Sequence, residues 1–278
     1  MHKFGLIGYP IAHSLSPRLF RAAYGGRFRY DLLESEDFGE AFSLFMKSYD
    51  AVNVTAPFKE LAFEKAKVRS PESELCGAAN ILVKTSRGLS CFNSDCTAVR
   101  AILEDEGAGV VRSVLVAGCG GAGKAAAAAA YMLGMDVTIV NRNMVKALDF
   151  ARRLDSSGEA AAQSRAGLRY CPGTVTVLPA DRFQEAAARH DALVYTLPVP
   201  LGTFPFLPAA GTAESALKLI VEANYRDPSF TPEVLGRLSR PVKLVPGGQW
   251  LLQQALTGYG LMTGVTPDSG ALCSCMAE

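Results

Sequence analysis

One run constrains this chain more than any other: Val114-Leu115-Val116-Ala117, then Gly118-Cys119-Gly120-Gly121-Ala122-Gly123, then six alanines at 125–130. Four apolar residues without a polar break read as a strand buried on both faces, the habit of parallel sheets. The glycines permit a tight turn, and the alanines are simply good helix formers. Strand, glycine turn and helix make a βα unit. They bring backbone N–H groups and the positive end of a helix to one point, where a dinucleotide pyrophosphate would be held. The bland reading of the same run is a tight turn without a ligand.

The context around the turn favours the dinucleotide. About one strand later the chain reads Asn141-Arg142-Asn143, with Lys146 a turn further on. A site for NAD usually ends that strand in a carboxylate, which accepts from the ribose 2′-hydroxyl. Here an arginine and a lysine stand instead, cations suited to a 2′-phosphate. The candidate cofactor-binding residues are therefore Gly118, Cys119, Gly120, Gly121, Ala122, Asn141, Arg142 and Lys146, and the cofactor expected is NADP.

Short apolar runs alternate with helical periodicity along most of the 278 residues, which predicts α/β architecture in two domains. Strands are expected at 3–7, 28–33, 51–54, 80–84 and 89–92, the last two as a hairpin about Arg87-Gly88. Helices are expected at 16–23, with Ser16 as cap and Pro17 in the first turn, and at 38–47, 58–67 and 94–106. A second βα series follows: strands at 113–117, 136–140, 174–178, 192–197 and 217–222, with helices from 121, over 145–154 and over 249–262. Residues 155–167 read as a surface loop. The organisation expected is an N-terminal α/β substrate domain, 1–96 plus 246–278, and a Rossmann-like doubly wound dinucleotide domain, 97–245.

Composition removes several classes of function. A formal charge of +1 offers no basic surplus to neutralise nucleic-acid phosphates. No apolar run is long enough to span a membrane, and residues 1–5 lead straight into a strand without a signal peptide. Cysteines 76, 91, 96, 119, 171, 273 and 275 show no metal-ligand spacing, so reduced, mostly buried thiols and no metal site are expected. A cytoplasmic enzyme, monomeric or homodimeric, acting on a small molecule is the reading that remains.

Hydride transfer to a ketone needs a proton donor as well as a nicotinamide. His2, His13 and His190 stand in no obvious acid–base setting, and His13 reads as a loop-packing residue. Asn53-Val54-Thr55-Ala56-Pro57-Phe58-Lys59 is more informative: polar residues leave a strand end, a proline fixes the turn, and a lysine follows. Burial would bring a lysine toward useful proton chemistry. By itself, however, Lys59 reads first as a solvated helix-face residue, and only second as a proton donor. Asp95, in Asn93-Ser94-Asp95, reads first as a helix cap and only second as a catalytic group.

Taken together, Gly8-Tyr9-Pro10-Ile11-Ala12-His13-Ser14-Leu15-Ser16-Pro17, residues 53–59, Gly77-Ala78-Ala79-Asn80 and Asn93-Ser94-Asp95 resemble the shikimate dehydrogenase family. The later glycine turn, Asn141-Arg142, and Gly247 through Gln254-Ala255 follow in that family's order. The resemblance implies NADP-dependent interconversion of 3-dehydroshikimate and shikimate, on the route to aromatic amino acids. It implies that Ser14 and Ser16 hold the carboxylate, that Thr55, Asn80 and Gln254 bind around the ring, and that Lys59 and Asp95 form the catalytic dyad. Gly247 joins the cofactor-binding residues on the same ground. A quinate/shikimate dehydrogenase with relaxed choice is the rival within the class. A ligand-binding regulator is the rival outside it, disfavoured because binding alone needs no acid–base dyad. The chain departs from the family pattern at Phe20-Arg21, Ile81, Ser94, Tyr195-Thr196-Leu197 and Arg226. Tyr195 and Arg226 bear on the nicotinamide and substrate surroundings.

Overall fold

Two sheets organise the chain, one in each of two compact units: Met1–Thr97 with Leu252–Glu278, and Ala98–Leu251. The structure is a computed structural model and describes residues 2–164, 173–198, 215–238 and 240–277.

The first unit runs β1 (Lys3–Gly8), α1 (Ser16–Ala23), β2 (Arg29–Glu34), α2 (Phe38–Ser48), β3 (Ala51–Val54), α3 (Lys59–Lys65), β4 (Val68–Arg69), α4 (Pro71–Cys76), β5 (Ile81–Thr85) and β6 (Gly88–Phe92), before α5 (Ser94–Glu106) begins. Its sheet has the order β2-β1-β3-β5-β6-β4. β1 lies parallel to β2 and β3, whereas β5 is antiparallel to both β3 and β6. The expected hairpin is present, Thr85 opposite Gly88. Ile7, Val52, Val54 and Leu82 from the strands pack with Phe45 and Phe63 from the helices and with Phe58, just before α3.

The second unit contains β7 (Ser113–Ala117), α6 (Gly121–Met132), β8 (Asp136–Asn141), α7 (Met144–Ser164), β9 (Val175–Pro179), α8 (Phe183–Arg189), β10 (Ala192–Tyr195), β11 (Leu219–Glu222), α9 (Pro232–Gly236) and β12 (Lys243–Val245). Its strands lie β12-β11-β10-β7-β8-β9, all parallel, which read from the β9 edge in order of appearance is 3-2-1-4-5-6. That is the doubly wound arrangement, and its order reverses between β7 and β10. The alanines of α6 do more than favour helix: Ala125 through Ala130 are all fully buried, so the helix is closely packed on every side. Then α10 (Gly247–Thr263) returns the chain to the first unit, where α11 (Ser269–Ala277) follows. Among the described residues no helix is long and apolar enough to cross a membrane.

Several expectations require correction. The loop expected at 155–167 is helix as far as Ser164, because alanines, Glu159 and Gln163 outweigh Gly158 and two serines; 165–167 lie outside the described residues. α3 stops at Lys65, since Lys67 N–H bonds to Leu89 O and Val68-Arg69 pairs with β6. α4 was signalled by Ser70-Pro71-Glu72, a cap, a first-turn proline and an acid, but is too short to show periodicity. α11 has no sequence periodicity to reveal it. Tertiary contacts hold it on α1: Leu272 is fully buried, and Arg18 donates to the Cys275 Sγ and carbonyl.

Candidate active site

Lys59 is the first residue of α3 and Asp95 the second residue of α5, and their side chains meet. The ammonium Nζ donates to Asp95 Oδ2 at 2.6 Å, with the two side chains 15% and 6% exposed. The end of α3 faces the ammonium with the positive pole of its peptide dipoles, whereas the same pole of α5 favours a carboxylate. The ion pair thus opposes the helix dipole at Lys59 and is reinforced by it at Asp95. Asp95 is not the cap of α5. Asn93 caps it, its Oδ1 accepting from Cys96 N–H at 3.0 Å, which leaves the aspartate side chain for the lysine.

Three segments distant in sequence are fastened around this pair. Lys59 O accepts from Ala79 N–H at 2.8 Å. Asn93 Nδ2 donates to Ala78 O at 2.9 Å, tying the start of α5 to the 77–80 turn. Gly77 turns there with φ of 57°, the left-handed region that glycine adopts freely. Asn80, 3% exposed, accepts Ser94 N–H at Oδ1 and places Nδ2 3.0 Å from Asp95 Oδ2. Cys76 and Cys96 are fully buried close by; burial, then the Cys96 thiol and the Asp95 charge, pushes the Cys76 thiol well up. Among the described residues six cysteines are free and five of them buried, and no metal-ligating cluster occurs; Cys171 lies outside those residues.

The serines and Thr55 stand on two loops that run side by side. Thr55 N–H bonds to Ile7 O at 2.8 Å and Tyr9 N–H to Ala56 O at 3.2 Å; Tyr9-Pro10 and Ala56-Pro57 are both cis. Gly8 permits that approach, because a Cβ there would lie 2.3 Å from Thr55 Cγ2. Ser16 proves to be the first residue of α1, not its cap. Leu15 stands at the cap position without a side-chain cap, and Ser14 Oγ just before it accepts Ser16 N–H at 3.2 Å. His13 is exposed, so it is not the packing residue expected of it. Gln254 is half-buried on α10, one turn before Gly258, which lies so close to the hairpin that a Cβ would be 2.9 Å from Ile81 Cδ1. Farther along, Tyr259 reaches Ser16 O at 3.3 Å. Asn53, not singled out as a site residue from sequence, accepts the Tyr30 hydroxyl at 2.9 Å and donates to Asn80 O at 3.4 Å.

In the second unit the glycine turn joins the end of β7 to α6. Gly118 has φ of 103°, and a Cβ on it would lie 2.8 Å from Thr196 Oγ1. A Cβ on Gly123 would lie 2.1 Å from Gly118 O, so both glycines are sterically required. Gly120 differs: it is exposed, and a Cβ there would meet nothing within 4 Å. Open backbone at the start of a buried helix, beside the point where strand order reverses, fits a dinucleotide pyrophosphate. β8 ends in Asn141, whose Nδ2 donates to Asn143 O, while Asn143 Oδ1 caps α7 by accepting Lys146 N–H at 3.0 Å. Arg142 and Lys146 are exposed beyond that strand end. Gly247 lies so close to the 223–228 loop that a Cβ would be 2.5 Å from Asn224 C.

Two of the departures from the family pattern, Tyr195 and Arg226, have different fates. Tyr195 is 1% exposed and stacks edge-on against Phe230 at 5.5 Å, so its side chain belongs to the core. Arg226 is exposed on the 223–228 loop, beside a half-buried Tyr225 whose phenol burial pushes up against the opposing Arg226 charge. Glu222 escaped the sequence reading. It is fully buried at the end of β11 and accepts Ser229 N–H. An acid ending the run Leu-Ile-Val-Glu was the available signal.

Known proteins are similar to this chain in sequence and in fold. The model of the shikimate dehydrogenase substrate binding domain matches residues 6–82. A shikimate dehydrogenase (NADP(+)) of Anaeromyxobacter dehalogenans is 32% identical over 272 residues, 94% of this chain and 90% of that protein. Its counterpart from Archaeoglobus fulgidus is 27% identical over 275 residues, 96% and 95%. The crystal structure of shikimate 5-dehydrogenase from Thermus thermophilus in complex with NADP(H) and shikimate matches with a TM-score of 0.79 at 26% identity, over 100% of this chain and 99% of that one.

Proposed function

We infer the activity from two premises, that this chain belongs to the shikimate dehydrogenase family and that it keeps a buried lysine–aspartate pair at the matching motifs. It is an NADP-dependent oxidoreductase that reversibly reduces 3-dehydroshikimate to shikimate. The first unit is the substrate domain and the second the dinucleotide domain. The observation that carries the reading is the contact of 2.6 Å between Lys59 and Asp95. A solvated helix lysine would not be held against a buried carboxylate beside a helix that an asparagine caps.

NADPH, when held by the second unit, would supply the hydride to the ketone carbon. As negative charge grows on the ketone oxygen, Lys59, as the ammonium, donates one proton to it; in oxidation the neutral amine takes that proton from the hydroxyl. Asp95 orients the ammonium and accepts from the same hydroxyl. Ser14 and Ser16, at the start of α1, hold the substrate carboxylate, where the helix N-terminus favours an anion. Thr55 and Gln254 contact the ring hydroxyls. Gly118 through Ala122, with Gly247, receive the dinucleotide backbone; Asn141, Arg142 and Lys146 take the ribose and its 2′-phosphate, for which β8 ends without a competing carboxylate.

A spectrophotometric assay with shikimate and quinate, each against NADP and NAD, tests the whole reading. The expected result is the fastest reduction with shikimate and NADP. No reduction with any of the four pairs would refute the enzyme, and a preference for quinate would move the chain to the rival within the class.

A further inference from the structure

We propose that Glu34 is a positioning residue for the substrate-carboxylate site, holding the loop that leads to Ser14 and Ser16 by the backbone of Ile11. The proposal rests on the reading above that the two serines receive the carboxylate.

The loop before the serines has one anchor. Tyr9, Pro10, Ala12 and His13 are exposed, and between them Ile11 alone is buried, 2% of its surface remaining. Its side chain is wedged where two loops meet: a Cβ on Gly8 would lie 2.7 Å from Ile11 Cγ2 and 2.3 Å from Thr55 Cγ2. Its backbone is engaged on both sides. The N–H donates to Glu34 Oε1 at 2.9 Å, and the carbonyl accepts Ser14 N–H at 2.9 Å. Ser14 Oγ in turn accepts Ser16 N–H and donates to Ser16 Oγ, both at 3.2 Å. One line of hydrogen bonds thus runs from Glu34 through Ile11 and Ser14 to Ser16.

Glu34 is well placed for this part. It is the last residue of β2, paired with Gly8 at the end of β1, so it stands on the sheet beside the point where the loop departs. A rigid strand end then supports a loop that would otherwise depend on one side chain. Bond and charge act in opposite directions. Without the acceptor, Ile11 N–H must find another partner or remain unpaired, and the serines move with it. The charge itself can only repel an anionic substrate, so its loss alone cannot weaken binding.

Steady-state kinetics of two variants separate these terms. Glu34→Leu removes the acceptor and is expected to raise the KM for shikimate roughly tenfold, the worth of one charge-assisted hydrogen bond, with kcat and the KM for NADP within about threefold of wild type. Glu34→Gln keeps an oxygen for Ile11 N–H and drops the charge, so its KM for shikimate should stay at or below the wild-type value. An unchanged KM for shikimate in Glu34→Leu overturns the proposal. A Glu34→Gln enzyme as impaired as Glu34→Leu overturns it as well, as does an equal rise in the KM for NADP. Ser16→Ala is measured alongside and should raise the KM for shikimate. No rise there condemns the carboxylate reading, whereas a rise there with any contrary outcome above condemns Glu34 alone.

Discussion

The lysine–aspartate cradle and the glycine turn are built on opposite principles. In the cradle, Asn80 and Asn93 use their amides to lock three chain segments together. At the turn, Gly120 leaves its backbone in open space, and Arg142 projects into solvent. On the proposed function the first arrangement would hold the reacting groups in place, with the reorganisation they would otherwise undergo already complete. The second presents donors and charge that a large anionic ligand must complete. Mutations in the cradle should therefore act on turnover, and mutations at the turn on affinity.

Lys59→Ala is the most severe way to break that contrast. Loss of a general acid–base is expected to lower kcat by about 10²-fold or more. It also leaves Asp95 buried without its cation, a strongly destabilising change that makes a melting curve the necessary control. A folded variant with near-native kcat would reduce Lys59 to a binding residue. A smaller effect of the other kind is expected of Arg142→Ala. It should raise the KM for NADP by about tenfold, the worth of one charge-assisted hydrogen bond at an exposed site, and leave that for NAD almost unchanged. Equal effects on both cofactors would remove the 2′-phosphate assignment.

The same contrast explains what could be read from the sequence. The turn was legible because its physics is local: strand, glycines and helix are contiguous, and Gly118 and Gly123 prove sterically required. The cradle was not legible from local signals, since Lys59 looked like a surface lysine and Asp95 like a cap. Only the set of motifs, read as a family resemblance, joined them. What decides the matter is that Asn93 does the capping, a choice between two nearby polar residues that spacing cannot make. Tyr195 taught the reverse lesson. A substitution at a family position looked like a change in the site, yet the alternation of the strand turned the side chain into the core against Phe230. α11 and the extension of α7 to Ser164 were missed for a related reason, because small residues give no periodicity to follow.

Glu222 offers the smallest effect and the finest test, since it lies in neither region but closes the loop that Gly247 packs against. Burial raises its carboxyl above the ordinary range, against the opposing pull of the Ser229 and Phe230 N–H groups and the Ser229 hydroxyl. Tyr195, the titratable group it faces, is likewise raised by burial. In the folded protein Glu222 therefore holds its proton to a higher pH than in the unfolded chain. Between those two values the folded state binds more protons, so stability falls as the pH rises. Its contribution is complete below the ordinary glutamate range and is lost as the pH passes the raised folded value. The slope from one such group is at most about 1.4 kcal/mol per pH unit. Urea unfolding of wild type and Glu222→Gln across that interval should show the slope in the first and its loss in the second, whatever the absolute stability of the variant. Parallel pH dependences would mean that Glu222 titrates alike in both states, and that its bonds to the loop hold the charged form as readily as the neutral one.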